Sequence, residues 1–519
     1  MSYLTNFLRK PEFRIFSLVV FLTFVFSLET SPAAQIASHD REVFRYIGML
    51  LSKGYIPYTN VFELRMPVIF FAAAAGLNLG AWWGYWLVLT LVLMVSAMAL
   101  YKLLKHFNLP YALFSVCVYL AYMQWSPLAD YASSGSYNLS ASLVTIFLYV
   151  FFVTRSFMLL GVLTGLIFCT QPNDILSLLP LLAYKTFWNQ DVKKISAFTV
   201  FITHGLKILA GFLLVFAIVS GFFIYHHAFW EMIDHALLFP FTYYMPNHSH
   251  DVLLFIKNWS NTGSEPLFIA LLVNLFYCRR SSPCALKDVI LVTACSIVLQ
   301  LVSASLSGKF YWHYYLAYTP YLILQAGIFL KNIENHQVIR RFYIALLAAM
   351  IVVFGVYVFY KISHYYILLS VRQGYQVTTP YEAQMKPYLQ LINNASKQYG
   401  PIEDGQLYVY KNTQLFALYT ELRVVAPTKW LEPDFLTDYG FDKDGEKFAS
   451  IIQNINTMQT RYLLDFSTSV GEQSAAHAIL WKSLLHEYYI KTAPLPCLVT
   501  QLSDKPGNEV CGWLYVRKQ

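Results

Sequence analysis

The sequence predicts a polytopic membrane protein, in which an all-α region that crosses the bilayer many times is followed by a small α/β domain. Of the 519 residues, 57% are hydrophobic and only 13% are charged, and the mean hydropathy is +0.46. Soluble domains carry about 25% charged residues, because a surface in contact with water needs them. Long apolar runs fill the chain to about residue 369 and stop there. This composition excludes a disordered chain, a collagen, a coiled coil and a series of ordinary soluble domains.

The apolar runs give the number of membrane spans, since a spanning helix needs about 20 mostly apolar residues. The first run, residues 13–28, follows Arg9 and Lys10 and has Arg14 at its start. The poor cleavage site at residues 31–35 favours an uncleaved helix over a signal peptide. Ten further runs centre near residues 92, 115, 145, 163, 182, 215, 270, 296, 322 and 351. We therefore predict about eleven transmembrane helices within residues 1–369.

The charges between these runs predict which side of the membrane each connection faces. Every second connection is rich in Lys and Arg, at residues 102–105, 155, 185–207, 279–287 and 331–341. Basic connections face the cytoplasm, so the N-terminus is predicted inside and the C-terminus outside. Many of the acids lie in the other connections. The net charge of +8 thus reflects sidedness, and nucleic acid is not expected as a partner.

Residues 370–519 form a second unit, predicted to be an α/β domain outside the membrane. Short strands at residues 406–410, 423–426 and 461–466 alternate with helices at 415–421, 446–455 and 475–488. Such alternation is typical of a largely parallel sheet. In an oxidising compartment Cys497 and Cys511 would form a disulfide, with two unrelated thiols as the open alternative.

The connection after the first helix, about residues 31–67, carries the most informative residues. Asp40 is predicted at the outer boundary of the membrane. Apolar residues then recur at helical spacing and predict an amphipathic helix along the membrane surface: Val43, Phe44, Ile47, Leu50 and Leu51. Gly54 ends that helix, and the Arg65 guanidinium is placed to face an anionic head group. The alternative is a simple connection with solvated charges.

Three parts of this connection form a pattern: Asp40, Gly-Tyr-Ile-Pro-Tyr at residues 54–58, and Phe-Glu-Leu-Arg-Met-Pro at residues 62–67. The pattern resembles the first-loop signature of GT-C-fold membrane glycosyltransferases. The nearest branch is the bacterial group related to protein O-mannosyltransferases and lipid A aminoarabinose transferases. This chain departs from that group at Asn60, where Asp is frequent, and at Arg65, where Lys is usual.

Two later segments fit the same resemblance. Residues 308–315, with Lys309 and His313, are followed by Pro320 and are similar to an element before a late helix in that group. Residues 125–140, with Asp130 and Tyr137, resemble a second loop on the catalytic side. The group often has Lys-Pro after its fifth helix, where this chain reads Thr-Gln-Pro at residues 170–172.

The resemblance implies an enzyme of the bacterial inner membrane, active in cell-envelope polysaccharide biosynthesis. It would transfer a sugar from a polyprenyl-phosphate donor to a hydroxyl of a glycan, lipid or protein acceptor on the outer face, with inversion. Asp40 would be the catalytic base. The other implied site residues are Arg65, His313 and Lys309 for the donor phosphate, and Asp130, Glu63 and Tyr58 for the acceptor or for support. No cofactor is identified, and a divalent cation is left open.

Other classes of function stay open as alternatives. One is a flippase or transporter of lipid-linked glycans, although transporters place ionisable groups near mid-membrane. Another is a polymerase or ligase of O-antigen type. Asp442 and Asp444 form a DxD sequence, which we interpret as an exposed turn and not as a metal–nucleotide site.

Overall fold

The structure is a computed structural model of the chain. It describes residues 11–34, 39–125, 135–154, 156–187, 197–244, 264–278, 284–306, 312–372, 380–431, 442, 445–467, 475–496 and 510–518.

The N-terminal part is helical, and each of the eleven predicted span centres lies in one of its helices. Within the described residues, six helices are long and apolar enough to cross a membrane. The helices are α1 (Pro11–Ser27), α2 (His39–Ser52), α3 (Val68–His106), α4 (Ala112–Gln124), α5 (Ser136–Val153), α6 (Phe157–Phe168), α7 (Ile175–Phe187), α8 (Ala197–Tyr225), α9 (Phe229–Ile233), α10 (Glu265–Cys278), α11 (Cys284–Leu306), α12 (Thr319–Asn332) and α13 (Gln337–Arg372). Short π-helical segments follow α9 at Asp234–Leu238 and Pro240–Tyr244.

Helix α3 is broken near its start, a feature that the sequence did not predict. Ala81 has a φ of 53° and a ψ of −135°, outside helical values. A Cβ on Gly84 would lie 2.0 Å from the carbonyl oxygen of Gly76, so the two backbones touch across the break. Residues eight apart in a straight helix would be about 12 Å apart. The first turns of α3 therefore fold back on the long remainder and stay beside α2.

Helix α2 forms where the sequence predicts an amphipathic helix, and protein packs against both of its faces. Its apolar residues Val43, Phe44 and Ile47 are buried, as expected. Its opposite face is buried too, because the C-terminal domain covers it. The Tyr46 ring packs 5.1 Å from the ring of Tyr419, and the Tyr46 hydroxyl accepts the Ala426 N–H at 2.9 Å. The polar face of this helix is therefore covered by protein, and its position along the membrane surface stays a prediction.

The C-terminal domain contains α14 (Pro380–Tyr399), β1 (Leu407–Tyr410), α15 (Ala417–Leu422), α16 (Glu446–Thr457), β2 (Tyr462–Asp465), α17 (Ala475–Tyr488), β3 (Tyr489–Pro496) and β4 (Val510–Arg517). The four strands form one sheet in the order β1-β2-β4-β3. β1 and β2 run parallel, with Leu407 opposite Tyr462, whereas β4 pairs antiparallel with both β2 and β3. The predicted α/β domain is confirmed, but a largely parallel sheet is wrong.

The predicted strand at residues 423–426 is also wrong, and its hydrogen bonds show why. Arg423 has a φ of 54°, the left-handed conformation that ends α15. Beyond it, the Val425 N–H donates to Asp404 Oδ1 at 2.9 Å, and the Ala426 N–H donates to Tyr46. Side chains therefore satisfy the backbone groups that a neighbouring strand would otherwise bind.

The membrane region and the C-terminal domain share an aromatic core. Phe62, from the connection before α3, lies 4.9 Å from the ring of Trp430 and 5.1 Å from that of Phe239, and its N–H donates to the Lys429 carbonyl at 2.9 Å. Cys511 is disulfide-bonded. Cys497 lies outside the described residues, so its pairing with Cys511 stays a prediction.

Candidate active site

The connection between α2 and α3 brings Arg65 back to the start of α2. Two residues with positive φ make the return, Gly54 at 85° and Tyr58 at 70°. The Tyr58 hydroxyl donates to the Arg65 carbonyl at 2.6 Å, and its ring packs against Phe70 and Phe223. Tyr58 is fully buried, so it holds the backbone of the connection and does not face a ligand.

Asp40, Glu63 and Arg65 form a three-residue cluster, called here the acidic triad. Arg65 Nη2 lies 2.8 Å from Asp40 Oδ1, and Arg65 Nη1 lies 2.8 Å from Glu63 Oε1. Glu63 Oε1 also accepts the Leu64 N–H at 2.8 Å. The Asp40 and Arg65 side chains are 17% and 21% exposed, but Glu63 is only 3% exposed. Asp40 can therefore be reached from outside, whereas Glu63 fixes the arginine from within.

The charges of the acidic triad favour a negative Asp40. Asp40 lies in the first turn of α2, where the positive end of the helix dipole stabilises an anion. Arg65 adds a full positive charge at hydrogen-bonding distance. One cation faces two carboxylates, so the triad carries a formal charge of −1. A partly exposed carboxylate that stays ionised can accept a proton from a neighbouring hydroxyl.

A second ionic cluster joins α2 to the C-terminal domain, and the sequence does not show the cluster as a whole. It is called here the buried network and comprises Arg41, Glu42, Arg45, Tyr381 and Glu421. Arg45 lies 2.6 Å from Glu42 and 3.1 Å from Glu421, and it donates to the Tyr381 hydroxyl at 2.9 Å. Arg41 lies 3.2 Å from Glu42. Two cations meet two carboxylates, so its formal charges balance. The sequence signals only the pair Glu42 and Arg45, which are three apart and so lie on one face of the helix.

Electrostatics distinguish the two arginines of the buried network. Burial disfavours the charge of Arg45, but the attraction of Glu42, Tyr381 and Glu421 exceeds this effect and holds its pKa above the ordinary value. Burial lowers the pKa of Arg41, and Glu42 offsets only part of that loss. Both guanidinium groups also lie over the Trp82 ring, at 4.5 and 4.8 Å from its centroid. Arg45 is therefore the more strongly anchored cation.

The remaining predicted site residues are placed as follows. His313 lies in a 3-10 turn, Trp312–Tyr318, with its ring 4.6 Å from that of Tyr137. Lys309 and Asp130 lie outside the described residues. In the part of the chain that the structure describes, no group of three or more His, Cys, Asp or Glu residues could hold a metal ion.

Asp442 has a structural role that differs from the predicted exposed turn. It is buried and accepts the N–H groups of Lys447 and Phe448, each at 2.8 Å, at the start of α16. His477 Nε2 lies 3.4 Å from its second oxygen. Asp442 therefore caps a helix.

Comparison with known proteins identifies the fold. No protein-family model matches the sequence, and no curated protein matches it. ArnT from Cupriavidus metallidurans, solved bound to undecaprenyl phosphate, aligns over 96% of this chain and 97% of its own, with a TM-score of 0.58 at 13% identity. Its apo state gives a TM-score of 0.58 at 12% identity, again over 96% and 97%.

A third solved structure is more distant. The Archaeoglobus fulgidus oligosaccharyltransferase in complex with Zn and sulfate has a TM-score of 0.46 at 13% identity, over 92% of this chain and 71% of its own. The fold assignment therefore depends on ArnT, of which the alignment covers 97%. This protein is a multi-pass membrane protein with the GT-C fold.

Proposed function

We propose that this protein transfers a sugar from a polyprenyl-phosphate donor to an acceptor hydroxyl on the outer face of the bacterial inner membrane. The observation that carries the proposal is the Asp40–Arg65 ion pair. It joins a partly exposed carboxylate at a helix N-terminus to a guanidinium at 2.8 Å, in a fold shared with a protein solved bound to undecaprenyl phosphate. In this proposal the carboxylate accepts the proton of the acceptor hydroxyl, and the guanidinium stabilises the phosphate that leaves.

In the proposed reaction, Asp40 accepts the proton of the acceptor hydroxyl. The oxygen attacks the anomeric carbon as the bond from that carbon to the phosphate oxygen breaks, so the configuration inverts. Polyprenyl phosphate leaves with the bonding electrons, and its growing charge needs preorganised positive groups. Arg65 is the first candidate for that role.

The charge of the acidic triad limits what Arg65 does alone. With a formal charge of −1, the triad does not attract a phosphate by itself. A second cation or hydrogen-bond donor must therefore face the lipid donor, and Lys309 and His313 are our candidates. Asp130 is assigned to the acceptor side, and Glu63 and Tyr58 hold Arg65 in place. No step is assigned to a divalent cation; one oxygen of each triad carboxylate binds Arg65.

The test is release of polyprenyl phosphate from a panel of polyprenyl-phosphate sugars by the purified full-length protein in lipid nanodiscs. Asp40→Asn keeps the shape of the side chain but cannot act as a base, so we expect turnover to fall about 10²–10⁴-fold. Asp234→Asn is the matched control, since Asp234 is 63% exposed, and it should retain wild-type turnover. Wild-type turnover in Asp40→Asn would refute the assignment.

The same assay separates the alternatives. A flippase moves the intact lipid-linked glycan and releases no polyprenyl phosphate from it. A polymerase or ligase releases the lipid phosphate only from donors that carry an oligosaccharide. Release from a monosaccharide donor therefore supports the proposal over both.

A further inference from the structure

We propose that Glu421, in the C-terminal domain, is a positioning residue for Asp40 and acts through Arg45. The inference rests on the proposed function, because it takes Asp40 as the base. It gives the contact between α2 and the C-terminal domain the role of holding Asp40 in position, which goes beyond the chemistry of the acidic triad.

Glu421, Arg45 and Tyr381 form a closed ring of polar contacts. Arg45 Nη2 lies 3.1 Å from Glu421 Oε1, and Arg45 Nη1 donates to the Tyr381 hydroxyl at 2.9 Å. The Tyr381 hydroxyl in turn donates to Glu421 Oε1 at 2.8 Å. Arg45 is only 2% exposed, whereas Glu421 is 34% exposed, so water reaches this ring from the Glu421 side and not from the Arg45 side. Two groups of the C-terminal part thus hold one guanidinium of α2.

This ring lies close to Asp40 along a rigid element. Arg45 follows Asp40 by five residues on α2, an axial distance of about 7.5 Å. Glu42, between them, binds Arg45 at 2.6 Å and Arg41 at 3.2 Å, which stiffens the first turns. Catalytic groups must be held within about 0.5 Å of their productive positions. A small rotation of α2 would therefore move Asp40 out of line with the acceptor.

The other end of α2 provides a matched control. Just past it, Lys53 Nζ lies 2.8 Å from Asp404 Oδ1, in a second ion pair with the C-terminal domain. This pair is exposed, at 30% and 42%, and is remote from Asp40 along the helix. Asp404→Asn removes its charge and keeps an oxygen for the Val425 N–H. The two pairs join the same parts of the chain, and only one lies near the base.

The experiment compares Glu421→Gln with Asp404→Asn in the polyprenyl phosphate release assay. We expect Glu421→Gln to lower kcat about 10-fold or more, with donor KM within about twofold of wild type, because misplacement of a catalytic group by about 1 Å costs up to about 10²-fold. Asp404→Asn should change neither parameter. Glu421→Asp, which keeps the charge, should recover part of kcat.

Three outcomes would overturn the inference: kcat of Glu421→Gln within about twofold of wild type, an equal loss in Asp404→Asn, or a rise in donor KM in place of the loss in kcat. If Glu421→Gln does not fold, Tyr381→Phe decides, since it removes one hydroxyl of the ring and should lower kcat by a smaller factor. An active Asp40→Asn refutes the proposed function itself. An inactive Asp40→Asn beside a fully active Glu421→Gln refutes only the positioning role.

Discussion

The acidic triad and the buried network begin one residue apart on α2 and differ in exposure and in charge balance. In the triad, one arginine faces two carboxylates, and Asp40 and Arg65 remain partly exposed. In the network, two arginines face two carboxylates, and Arg41, Glu42 and Arg45 are all buried. Glu421, the fourth charge of the network, is 34% exposed but is matched by Arg45. Charges that are matched and mostly buried have little left with which to bind a ligand. We infer that the triad performs chemistry and that the network sets the position from which it is performed.

The largest predicted effect is a loss of folding stability when the buried network is disrupted, and its absence would contradict this comparison. Arg45→Ala leaves the Glu42 and Glu421 carboxylates without the cation that both contact, and removing one partner of a buried pair costs about 3–5 kcal/mol. We expect a clearly lower unfolding midpoint in detergent, measured by circular dichroism. Lys53→Ala, which breaks the exposed pair, should cost at most about 1 kcal/mol. Equal stability of the two variants would contradict a structural role for the network.

Much of this fold could be predicted because the signals are local. An apolar run of sufficient length becomes a helix wherever it lies, so all eleven predicted centres fall in helices. The sheet was harder, because strand pairing depends on partners far along the chain. β3 begins at Tyr489, directly after α17 ends at Tyr488, and the lack of a turn between them hid the strand. The hairpin it forms with β4 turns an expected parallel sheet into a mixed one.

The candidate site also has one part that the sequence predicts and one part that it does not. Asp40, Glu63 and Arg65 lie within 26 residues of sequence, so a local motif was enough to group them. Arg45 and Glu421 are separated by 376 positions, so no spacing could connect them. In the sequence alone, Arg41 and Arg45 are two bases in the connection after the first helix, with nothing to mark them as buried. The burial of these cations depends on where the C-terminal domain packs, so only the structure shows it.

A second prediction sharpens the role of the triad. Arg65→Ala removes a charged donor of hydrogen bonds, and such bonds contribute about 1.5–3 kcal/mol. We expect affinity for polyprenyl phosphate to fall about 10–100-fold, measured with a labelled lipid and the protein in nanodiscs. Arg65→Lys keeps the charge and should bind within about threefold of wild type. If Arg65→Ala binds polyprenyl phosphate normally, Arg65 only orients Asp40, and the phosphate site lies elsewhere.

The smallest predicted effect concerns His235, which packs against the connection that carries Arg65. Its ring lies 4.7 Å from that of Phe62, and burial, with a contribution from Lys429, lowers its pKa from 6.5 to about 4. The nearest acid is Asp234, at 4.0 Å and largely exposed. Because the folded protein binds this proton less readily than the unfolded chain, stability is retained above pH 6.5 and falls as the pH drops towards 4.

From pH 7 to pH 5 the loss due to His235 should be about 2 kcal/mol. His235→Phe keeps the aromatic packing and removes the titration, so its unfolding midpoint should fall less than that of wild type over this range. His226→Phe is the control, because His226 is exposed and should leave the pH dependence unchanged. If His235→Phe and wild type lose stability in parallel, the acid sensitivity does not arise at this junction. A flatter profile in His235→Phe alone would show that the acid sensitivity arises from the buried histidine that packs against the connection carrying Arg65.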